Sequence, residues 1–407
     1  MLQSKKIVGF SKPDITDKEI QSVVRVLKSN WLTMGEVTES FERAIQKYLQ
    51  VSYGIVLNSA TAGLHLGLRA FDVKWGESVI VPDFTFTATA EVVFRCNAIP
   101  LLVDIDRTDY LISEEKIREF IKKYCIWKNK KLIHKPTQTH IRGILCVHYG
   151  GRVCDLYKLK ELAKEYQLFL GEDAAHAFGS EYDNKKIGGF SDFTVFSFYA
   201  TKNLTTGEGG VLTTNSELIA KRVQRMRLHG LSSETYKRKS ATYDVVTEGY
   251  KYNISDILSA IGIVQLERYN EILEKRKRIH QIYQQEFSKF EKLKLCPEYS
   301  GSSYHLYTIE IDQRNHFAEE LKKLGVSTSI HFKPLHLMTY YKKKKIYNPE
   351  DYPSSMKIYK RILSLPIYSS MSEEEIHHVV SGVKLVYENL LIKKNSKKIV
   401  PLFPLHK

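Results

Sequence analysis

A single lysine, Lys202, stands between an apolar run and a group of glycines in the stretch SFYATKNLTTGEGG, residues 197–210. The run FTVFS before it is typical of a buried strand, so Lys202 is predicted to lie just beyond a strand end. A lysine in such a cleft most often forms a Schiff base, because an amine exchanges covalently with the carbonyl group of an aldehyde. Pyridoxal phosphate is therefore the first candidate cofactor, and it makes three further demands on the sequence.

The first demand is a carboxylate beside the pyridine nitrogen, which must stay protonated if the ring is to accept electrons. Asp173 ends the apolar stretch LFLGED, so we expect it to face the same cleft as Lys202. His176 follows in the same segment and could contact the ring hydroxyl or stack nearby. Alternatively, Asp173 is a helix N-cap and His176 is a packed histidine.

The second demand is a set of backbone N–H groups for the phosphate, which the N-terminus of a helix provides. The stretch 56–70 reads as a strand, a small polar turn and a helix, and Ser59, Ala60 and Thr61 stand at the start of that helix. Ser197, at the end of the strand before Lys202, adds a hydroxyl group. Plain helix capping remains an alternative explanation for the polar turn.

The third demand is an apolar or aromatic cover for the open face of the ring. Phe84 and Phe86 follow the apolar strand SVIVP, although either could equally be a core residue. The glycines Gly207, Gly209 and Gly210 most simply form a turn that returns the chain to VLTTN, which requires no ligand. Each feature alone is weak, but all of them are predicted at the carboxyl ends of neighbouring strands.

The fold class follows from the alternation of short apolar runs with helical patterns between residue 51 and about residue 200. Strands are predicted at 53–57, 78–82, 99–106, 143–149, 168–173 and 193–198. Helices are predicted near 60–70, 86–95, 113–124 and 155–166. Parallel strands need helical crossovers, so this alternation indicates an α/β fold with a mostly parallel central sheet. In such a sheet the ligand binds at the carboxyl ends of the strands.

The flanking regions suggest a second, smaller unit. A capping-box pattern at Thr16 starts a first helix, and a second follows before residue 51. A long helical pattern at 256–290 is the expected connector to an α+β unit with segments at 304–311, 315–324, 326–332 and 372–391. We predict a large cofactor-binding domain at 1–255, a smaller C-terminal domain at 256–392 and a basic tail at 393–407.

The formal net charge of +15 comes from three lysine runs. Residues 122–135 hold six lysines, residues 342–345 hold four and residues 393–407 hold five, with no acidic residue in any of them. We interpret the runs as solvated insertions and a tail, because the rest of the chain is balanced in charge. A membrane-surface or nucleic-acid role for them is the less favoured alternative.

The remaining composition narrows the class of protein. The five cysteines are odd in number and have no zinc-ligand spacing, so we expect reduced thiols and no metal site. No run approaches the roughly 18 apolar residues of a membrane helix, and the first residues lack a signal-peptide core. These features favour a cytoplasmic protein without membrane insertion.

Several motifs resemble the DegT/DnrJ/StrS family of sugar aminotransferases over about residues 10–384. The clearest are SATAGLHL at 59–66, PDFTFTATA at 82–90, GEDAAHAFGS at 171–180 and FSFYATKNLTTGEGG at 196–210. The resemblance implies a fold-type I, aspartate aminotransferase-like enzyme that uses pyridoxal phosphate and forms a homodimer with shared active sites. It also implies amino transfer from L-glutamate to a nucleotide-linked keto sugar.

The resemblance assigns roles to individual residues. Lys202 matches the lysine that bonds the cofactor, Asp173 matches the partner of the pyridine nitrogen, and His176 stands near the ring hydroxyl. The phosphate-binding positions are matched by Ala60, Thr61 and Ser197, and the position stacked on the ring by Phe86.

One departure concerns the loop that, in the family, reaches into the partner's site. Many relatives read GYNYR or GFNFR there, whereas this chain reads GYKYN, which places Lys251 and Asn253 in the loop. Together with WLTMG at 31–35 and HFKPLHLMTYY at 331–341, this sequence looks most like the branch that aminates the sugar at C4. Amination at C3 is the alternative within the family.

The basic residues proposed to bind the anionic sugar substrate are Lys251, Lys333, His331 and His336, and surface or packing roles are the alternative for the histidines. A UDP- or dTDP-linked 4-keto sugar and a role in surface-polysaccharide or lipopolysaccharide synthesis are expected by resemblance. Two other functions are weighed. Dehydratases of this fold carry histidine in place of the lysine, so Lys202 argues against them. A regulatory protein that binds nucleic acid would not need Lys202 and Asp173.

Overall fold

The computed structural model describes residues 7–232 and 242–396, with helices and strands alternating along most of the chain. The helices are α1 (Asp17–Lys28), α2 (Glu36–Leu49), α3 (Ala60–Ala70), α4 (Ala88–Arg95), α5 (Glu114–Tyr124), α6 (Leu156–Glu165), α7 (Glu217–Arg227), α8 (Asp256–Glu267), α9 (Tyr269–Phe287), α10 (Arg314–Lys323), α11 (Thr339–Lys344), α12 (Pro353–Tyr359) and α13 (Glu373–Ser396). The strands are β1 (Tyr53–Leu57), β2 (Glu77–Pro82), β3 (Ile99–Val103), β4 (Cys125–Lys128), β5 (Lys131–His134), β6 (Thr139–Val147), β7 (Phe169–Asp173), β8 (Glu181–Tyr182), β9 (Lys185–Lys186), β10 (Phe193–Ser197), β11 (Gly210–Thr214), β12 (Lys294–Leu295), β13 (Tyr307–Glu310) and β14 (Ile362–Leu365).

The central sheet has the strand order β1-β11-β10-β7-β6-β2-β3. The neighbours from β10 to β3 are parallel, as the sequence predicts. Strand β11 is antiparallel to both β1 and β10, so the sheet is mixed. The carboxyl ends of β10, β7, β6 and β2 therefore meet at one edge, which is where the predicted ligand residues follow their strands.

The sheet is covered on both faces because its central strands carry apolar residues at consecutive positions. Ile144 packs into the core on one face and Leu145 into the core on the other, and both are fully buried. The ring of Phe193 fills the space between β10, α3 and β7. A Cβ atom at Gly67 or Gly171 would lie 2.4 Å from that ring, so both glycines are needed for this close packing.

A smaller antiparallel sheet, β12-β13-β14, lies with α9, α10 and α13 around its own core. The long helical pattern at 256–290 is broken at Arg268, and α8 packs against α1 and α2 instead of continuing into α9. The segment 326–332 contributes only isolated bridges at Val326 and Ser329. The proposed domain boundaries remain predictions.

The first lysine run is not a simple solvated insertion. Residues 122–135 end α5 and form the hairpin β4–β5, whose second strand pairs with the start of β6. Cys125, Leu132 and His134 are buried, while all six lysines of the run are exposed. The apolar residues between the lysines explain the difference, because they alternate with them along the hairpin. Most of the predicted tail, from residue 397 onward, lies outside the described residues.

Within the described ranges, no helix is long and apolar enough to cross a membrane.

Asp256 joins two helices of the larger unit. Helix α2 begins after Gly35, which has no side chain to cap it, and Asp256 at the start of α8 supplies the acceptor. Its carboxylate accepts hydrogen bonds from the Gly35 amide at 2.8 Å, the Thr38 amide at 2.9 Å and the Thr38 hydroxyl at 2.6 Å. The contact is buried, so these donors have no alternative partner in water.

We therefore expect Asp256→Ala to lower the free energy of unfolding by about 2–4 kcal/mol, because it leaves buried donors without an acceptor. Asp256→Asn keeps one acceptor oxygen and should lose less. Urea unfolding of the three proteins measures the difference. Equal losses for the alanine and asparagine variants would contradict the capping role.

Candidate active site

A cavity of about 500 Å³ opens at the carboxyl edge of the central sheet. It collects residues from segments that are far apart in the sequence. The predicted residues that line it are Ser59, Ala60, Thr61, Phe86, Asp173, His176, Ser197, Lys202 and His331. The structure thus brings together most of the side chains that the sequence proposed for one site.

Lys202 follows β10 through a tight turn in which its amide donates to the carbonyl of Tyr199 at 2.8 Å. Burial lowers the pKa of the Lys202 amine to about 8, while the charge of Asp173 opposes this shift. A lysine with this pKa has a substantial neutral fraction near neutral pH, as a nucleophile or general base requires. Lys202 is therefore the one lysine of the cavity suited to covalent or proton-transfer chemistry.

Asp173 is the last residue of β7. One carboxylate oxygen accepts from the Thr89 hydroxyl at 2.7 Å, and the other accepts from the Ala175 amide at 3.1 Å. Burial raises the pKa of Asp173, while these hydrogen bonds and the charge of Lys202 lower it. No helix begins at residue 174, where the chain forms turns, so the helix N-cap interpretation of Asp173 is wrong.

Behind Asp173 lies a fully buried pair, His148 and Glu172, whose side chains approach to 2.7 Å. Burial opposes protonation of His148, whereas the contacts with Cys154 and Glu172 favour it. The His148 amide also donates to the carbonyl of Asp173 at 3.1 Å. Because Nδ1 of His148 accepts from the Cys154 amide, the proton of the ring is on Nε2, which faces Glu172.

Cys146, His148 and Cys154 form a buried cluster that was not predicted from the sequence. Their ligand-type atoms lie within 4.8 Å of one another. The Cys154 amide donates to His148 Nδ1 at 3.2 Å, and the Cys154 thiol donates to the carbonyl of Val147 at 3.3 Å. The cluster therefore has internal hydrogen-bond partners, and we assign it no ligand.

Helix α3 begins at Ala60, the place where the sequence predicts a phosphate cradle. Ser59 is the N-cap and accepts from the Ala62 amide at 3.1 Å, so the capping interpretation is also correct. Among the described residues, the amides of Ala60 and Thr61 have no hydrogen-bond partner, as expected at an anion-binding helix N-terminus. A Cβ atom at Gly210 would lie 2.5 Å from the Ala60 nitrogen, so this glycine allows β11 to run directly under the cradle.

Three further residues that line the cavity, His305, Phe332 and Arg276, were not predicted from the sequence. The ring of His305 lies 4.4 Å from the ring of His176. The ring of Phe332 also stacks on His176, at 5.8 Å. Arg276 is buried and donates to the carbonyls of Tyr304 and His305. These residues come from the smaller unit and the connector. No local pattern in the sequence marks His305 or Arg276, and Phe332 stands beside His331 in HFKPLHLMTYY.

The histidines are held neutral. Burial lowers the pKa values of His176 and His305 well below the ordinary range, and the charge of Lys202 adds to the effect. Burial likewise lowers the pKa of His331 to about 4. His176 Nδ1 accepts from the Gly150 amide at 3.3 Å. The rings therefore offer hydrogen bonds and flat surfaces to a ligand without adding charge.

The two predicted aromatic residues have different positions. Phe86 is 60% exposed and stands at the cavity, 6.2 Å from the ring of Phe332. Phe84 is buried in the core and faces Tyr149. Phe86 is thus the residue available to cover a ring bound above Lys202.

Only one of the histidines proposed to bind substrate lines the cavity of Lys202. His331 lines the cavity and its Nδ1 lies 2.9 Å from the Ser364 hydroxyl. His336 does not line it: the side chain is buried, lies 2.7 Å from Asp83 and stacks on Tyr352. Its assignment as a substrate residue is corrected to a packing role. Lys333 is exposed and does not line the cavity.

Lys251 and Asn253 line a second cavity of about 540 Å³, separate from the first, and the amine of Lys251 lies 2.7 Å from Asn253 Oδ1. This cavity also contains Thr33 and Met34 of the WLTMG motif. Within one chain these residues do not reach Lys202, so their predicted roles remain predictions.

The fold and the site define a sugar aminotransferase-type protein. Residues 13–384 match the model of the DegT/DnrJ/EryC1/StrS aminotransferase family. The chain belongs to this family, and the mostly parallel α/β fold predicted from the sequence is confirmed.

Three comparisons illustrate the relationship. MJ1066, an uncharacterised protein of Methanocaldococcus jannaschii, is 41% identical over 93% of this chain and 97% of its own length. The spore coat polysaccharide biosynthesis protein SpsC of Bacillus subtilis is 34% identical over 92% of this chain and 96% of its own. The putative sugar aminotransferase Spr1654 of Streptococcus pneumoniae, in its pyridoxamine phosphate form, is 32% identical, with a TM-score of 0.86 over 96% of this chain and 100% of the other.

Aminotransferases of this family use pyridoxal phosphate, and Spr1654 has also been solved in that form. The residues of the cavity fit this group. Lys202 offers the amine, Asp173 offers a carboxylate for the pyridine nitrogen, and the amides of Ala60 and Thr61 offer unpaired donors for the phosphate.

The pKa of Lys202 can be measured without any cofactor. We expect competitive acetylation of the cofactor-free protein, read by mass spectrometry, to give a midpoint near 8 for Lys202. Reactivity should rise with pH, because only the neutral amine reacts. Asp173→Asn removes the charge that favours the protonated amine, so its midpoint should fall below that of wild type.

The other lysines in the same sample are the internal control. A Lys202 midpoint near the ordinary 10.5, or one that rises in Asp173→Asn, would contradict the electrostatics described above.

Proposed function

We propose that this protein is a pyridoxal phosphate-dependent aminotransferase that moves the amino group of L-glutamate to a nucleotide-linked 4-keto sugar. The observation that carries the proposal is the placement of Lys202 and Asp173 in one cavity beside the open N-terminus of α3. An amine that is partly neutral, a buried carboxylate and an anion cradle are the three groups that this chemistry requires. The family supports amino transfer, and the donor and the sugar are inferred.

Each residue has a defined task in this reaction. Bound pyridoxal phosphate supplies the electron sink that stabilises negative charge at the substrate carbon. The neutral amine of Lys202 removes the proton from Cα of glutamate, and in the second half-reaction it delivers a proton to the carbon that receives the nitrogen. Asp173 holds the proton on the pyridine nitrogen. The amides of Ala60 and Thr61 and the Ser197 hydroxyl bind the phosphate and fix the orientation of the ring.

Phe86 and Phe332 would limit access of water to the reacting carbon, because both rings line the same cavity as Lys202. His176 and His305 are neutral, so they can donate or accept one hydrogen bond each without repelling the protonated amine. His331 is our candidate for a contact with the sugar.

The choice of a nucleotide-linked sugar rests on two supports. The family is one of sugar aminotransferases, and the relative SpsC is named for polysaccharide biosynthesis. Exposed basic residues, Lys251 and Lys333, are available for a diphosphate. Amination at C4 and a UDP or dTDP carrier follow from the resemblance of the loop GYKYN to the branch that includes UDP-4-amino-4-deoxy-L-arabinose aminotransferase. Amination at C3 is the alternative.

We further propose a cytoplasmic homodimer with shared active sites. The loop of Lys251 and Asn253 faces the second cavity, away from Lys202 of its own chain. Exposed apolar side chains nearby, Trp31, Leu32 and Tyr243, would be covered by a partner. In that arrangement Asn253 contacts the cofactor of the other subunit and Lys251 contacts its substrate.

Two functions of other classes are disfavoured by the same site. A sugar dehydratase of this fold would carry histidine at the position of Lys202. A regulatory nucleic-acid-binding protein would have no use for the paired Lys202 and Asp173. Binding of DNA with strong salt dependence and without cofactor absorbance would favour the regulator.

The first half-reaction tests the enzyme class. We expect L-glutamate to remove the visible absorbance of the bound cofactor and to yield one 2-oxoglutarate per site in wild type. Lys202→Ala should lose at least roughly 1000-fold in rate, because it removes the proton-transferring base. Lys160→Ala, a surface lysine on α6, is the matched control and should behave as wild type. A response to glutamate in Lys202→Ala equal to wild type would overturn the proposal.

Shared sites predict complementation between inactive subunits. Lys202→Ala and Asn253→Ala homodimers should each be weak, and unfolding and refolding them together should restore activity. Recovery requires that one site in the mixed dimer combine an intact Lys202 with an intact Asn253 from the other chain. If the mixture is no more active than its components, Asn253 acts within its own chain or has no role.

A further inference from the structure

The two internal lysine runs, which are more than 200 residues apart in the sequence, meet on one face of the folded chain. We call this face the basal surface and define it as residues 74–76, 122–135 and 342–347. It lies at the amino ends of β2, β3 and β6, so it is on the side of the sheet opposite to the cavity of Lys202.

Hydrogen bonds bring the segments of the basal surface together. The amine of Lys123 lies 2.7 Å from one carboxylate oxygen of Asp351, and the Tyr124 hydroxyl lies 2.7 Å from the other. The Tyr347 hydroxyl donates to the carbonyl of Pro100 at the start of β3 at 2.9 Å. The chain that carries lysines 342–345 is therefore attached beside the end of α5 and the hairpin β4–β5.

The third segment is attached through β6. The amide of His140, which pairs with β5, donates to the carbonyl of Gly76 at 3.3 Å. This contact places Trp75 beside the same hairpin. All three segments thus border the amino edge of the sheet.

The basal surface combines charge with exposed apolar side chains. Eleven lysines and no acidic residue lie within its ranges, and all eleven lysines are exposed. Trp75 is 84% exposed, Trp127 47%, Ile126 44% and Ile346 40%. Such side chains are costly to leave in water, and a soluble enzyme gains no catalytic benefit from them at the edge away from its active site.

Most of the positive charge is not neutralised within the protein. Lys123 pairs with Asp351, and Lys344 stands over the rings of Phe94 and Tyr340. The other nine lysines of the surface have no ion pair among the described residues. The surface therefore complements a partner that is anionic and extended.

We propose that the basal surface docks this protein on an anionic lipid surface. Lysines attract acidic headgroups, and tryptophan is the side chain best suited to the boundary between headgroups and acyl chains. The isoleucines fit the same boundary, whereas bases and phosphates offer them no partner. A second copy of the chain is disfavoured, because eleven like charges would face eleven others. Docking leaves the cavity of Lys202 directed away from the bilayer.

The test is sedimentation of the full-length holoenzyme with vesicles. We expect binding to vesicles of phosphatidylcholine with phosphatidylglycerol and none to phosphatidylcholine alone. Binding should weaken strongly as salt rises from low to physiological concentration, since exposed charges are screened beyond about 10 Å at 0.1 M salt. Absence of binding to the acidic vesicles at low salt overturns the proposal.

Variants assign the binding to this surface. Neutralising Lys130, Lys131, Lys342 and Lys343 together with glutamine should weaken binding at least about tenfold, as the loss of several adjacent lysines predicts. Trp127→Ala should also weaken it. Lys322→Gln with Lys323→Gln on α10 is the control and should bind as wild type, and the basic tail is present in every variant.

The glutamate half-reaction of each variant shows that it is folded, so failure of docking is distinguishable from failure of the proposed activity. Equal binding by the basal variants and the control would overturn the proposal. So would retention of single- or double-stranded oligonucleotides through these lysines without vesicle binding, which would indicate a nucleic-acid surface.

Discussion

The burial of Lys202 opposite Asp173 is the interaction on which the rest of this structure depends. Burial lowers the pKa of Lys202 and raises that of Asp173, so the cavity disfavours the charged form of both groups. The charge of each group favours the charged form of the other and partly offsets this effect. An amine that is neutral part of the time can exchange bonds and move protons. A carboxylate that can remain ionised in the same place needs the hydrogen bonds that Thr89 and the Ala175 amide donate to it.

The fold supplies this arrangement through the geometry of its sheet. Strands β7 and β10 are parallel neighbours, so residues that follow them meet at one edge. The amides at the start of α3 reach the same edge because Gly210 lets β11 pass beneath them. His305, His331 and Arg276 come from the smaller unit and the connector, so the cavity is complete only when the two parts of the chain pack together. Packing of the smaller part against the larger part therefore encloses the anion-binding and proton-transferring groups in one cavity.

Sequence reasoning found the residues that stand directly after apolar runs. Lys202, Asp173 and the start of α3 were predicted because a parallel sheet places strand ends together. His305, Arg276 and Phe332 were missed because they reach the cavity by tertiary packing over 70 residues or more from Lys202. The prediction that His336 binds substrate was wrong for a related reason. A histidine in a basic, aromatic segment resembles a ligand-binding residue, but the side chain of His336 is buried in the core against Asp83. The antiparallel strand β11 and the hairpin β4–β5 were not predicted, because they contain glycine and lysine. These residues are ordinarily typical of turns and of solvent-exposed segments.

The most direct test of the central claim follows the nitrogen atom itself. Wild-type protein is incubated with L-glutamate labelled with nitrogen-15 and a set of UDP- and dTDP-linked 4-keto sugars, and the products are analysed by mass spectrometry. The account predicts that the label appears in an amino sugar, that 2-oxoglutarate forms in equal amount, and that Lys202→Ala transfers none. Label that stays in glutamate with every sugar, or that reaches a sugar without Lys202, would contradict it.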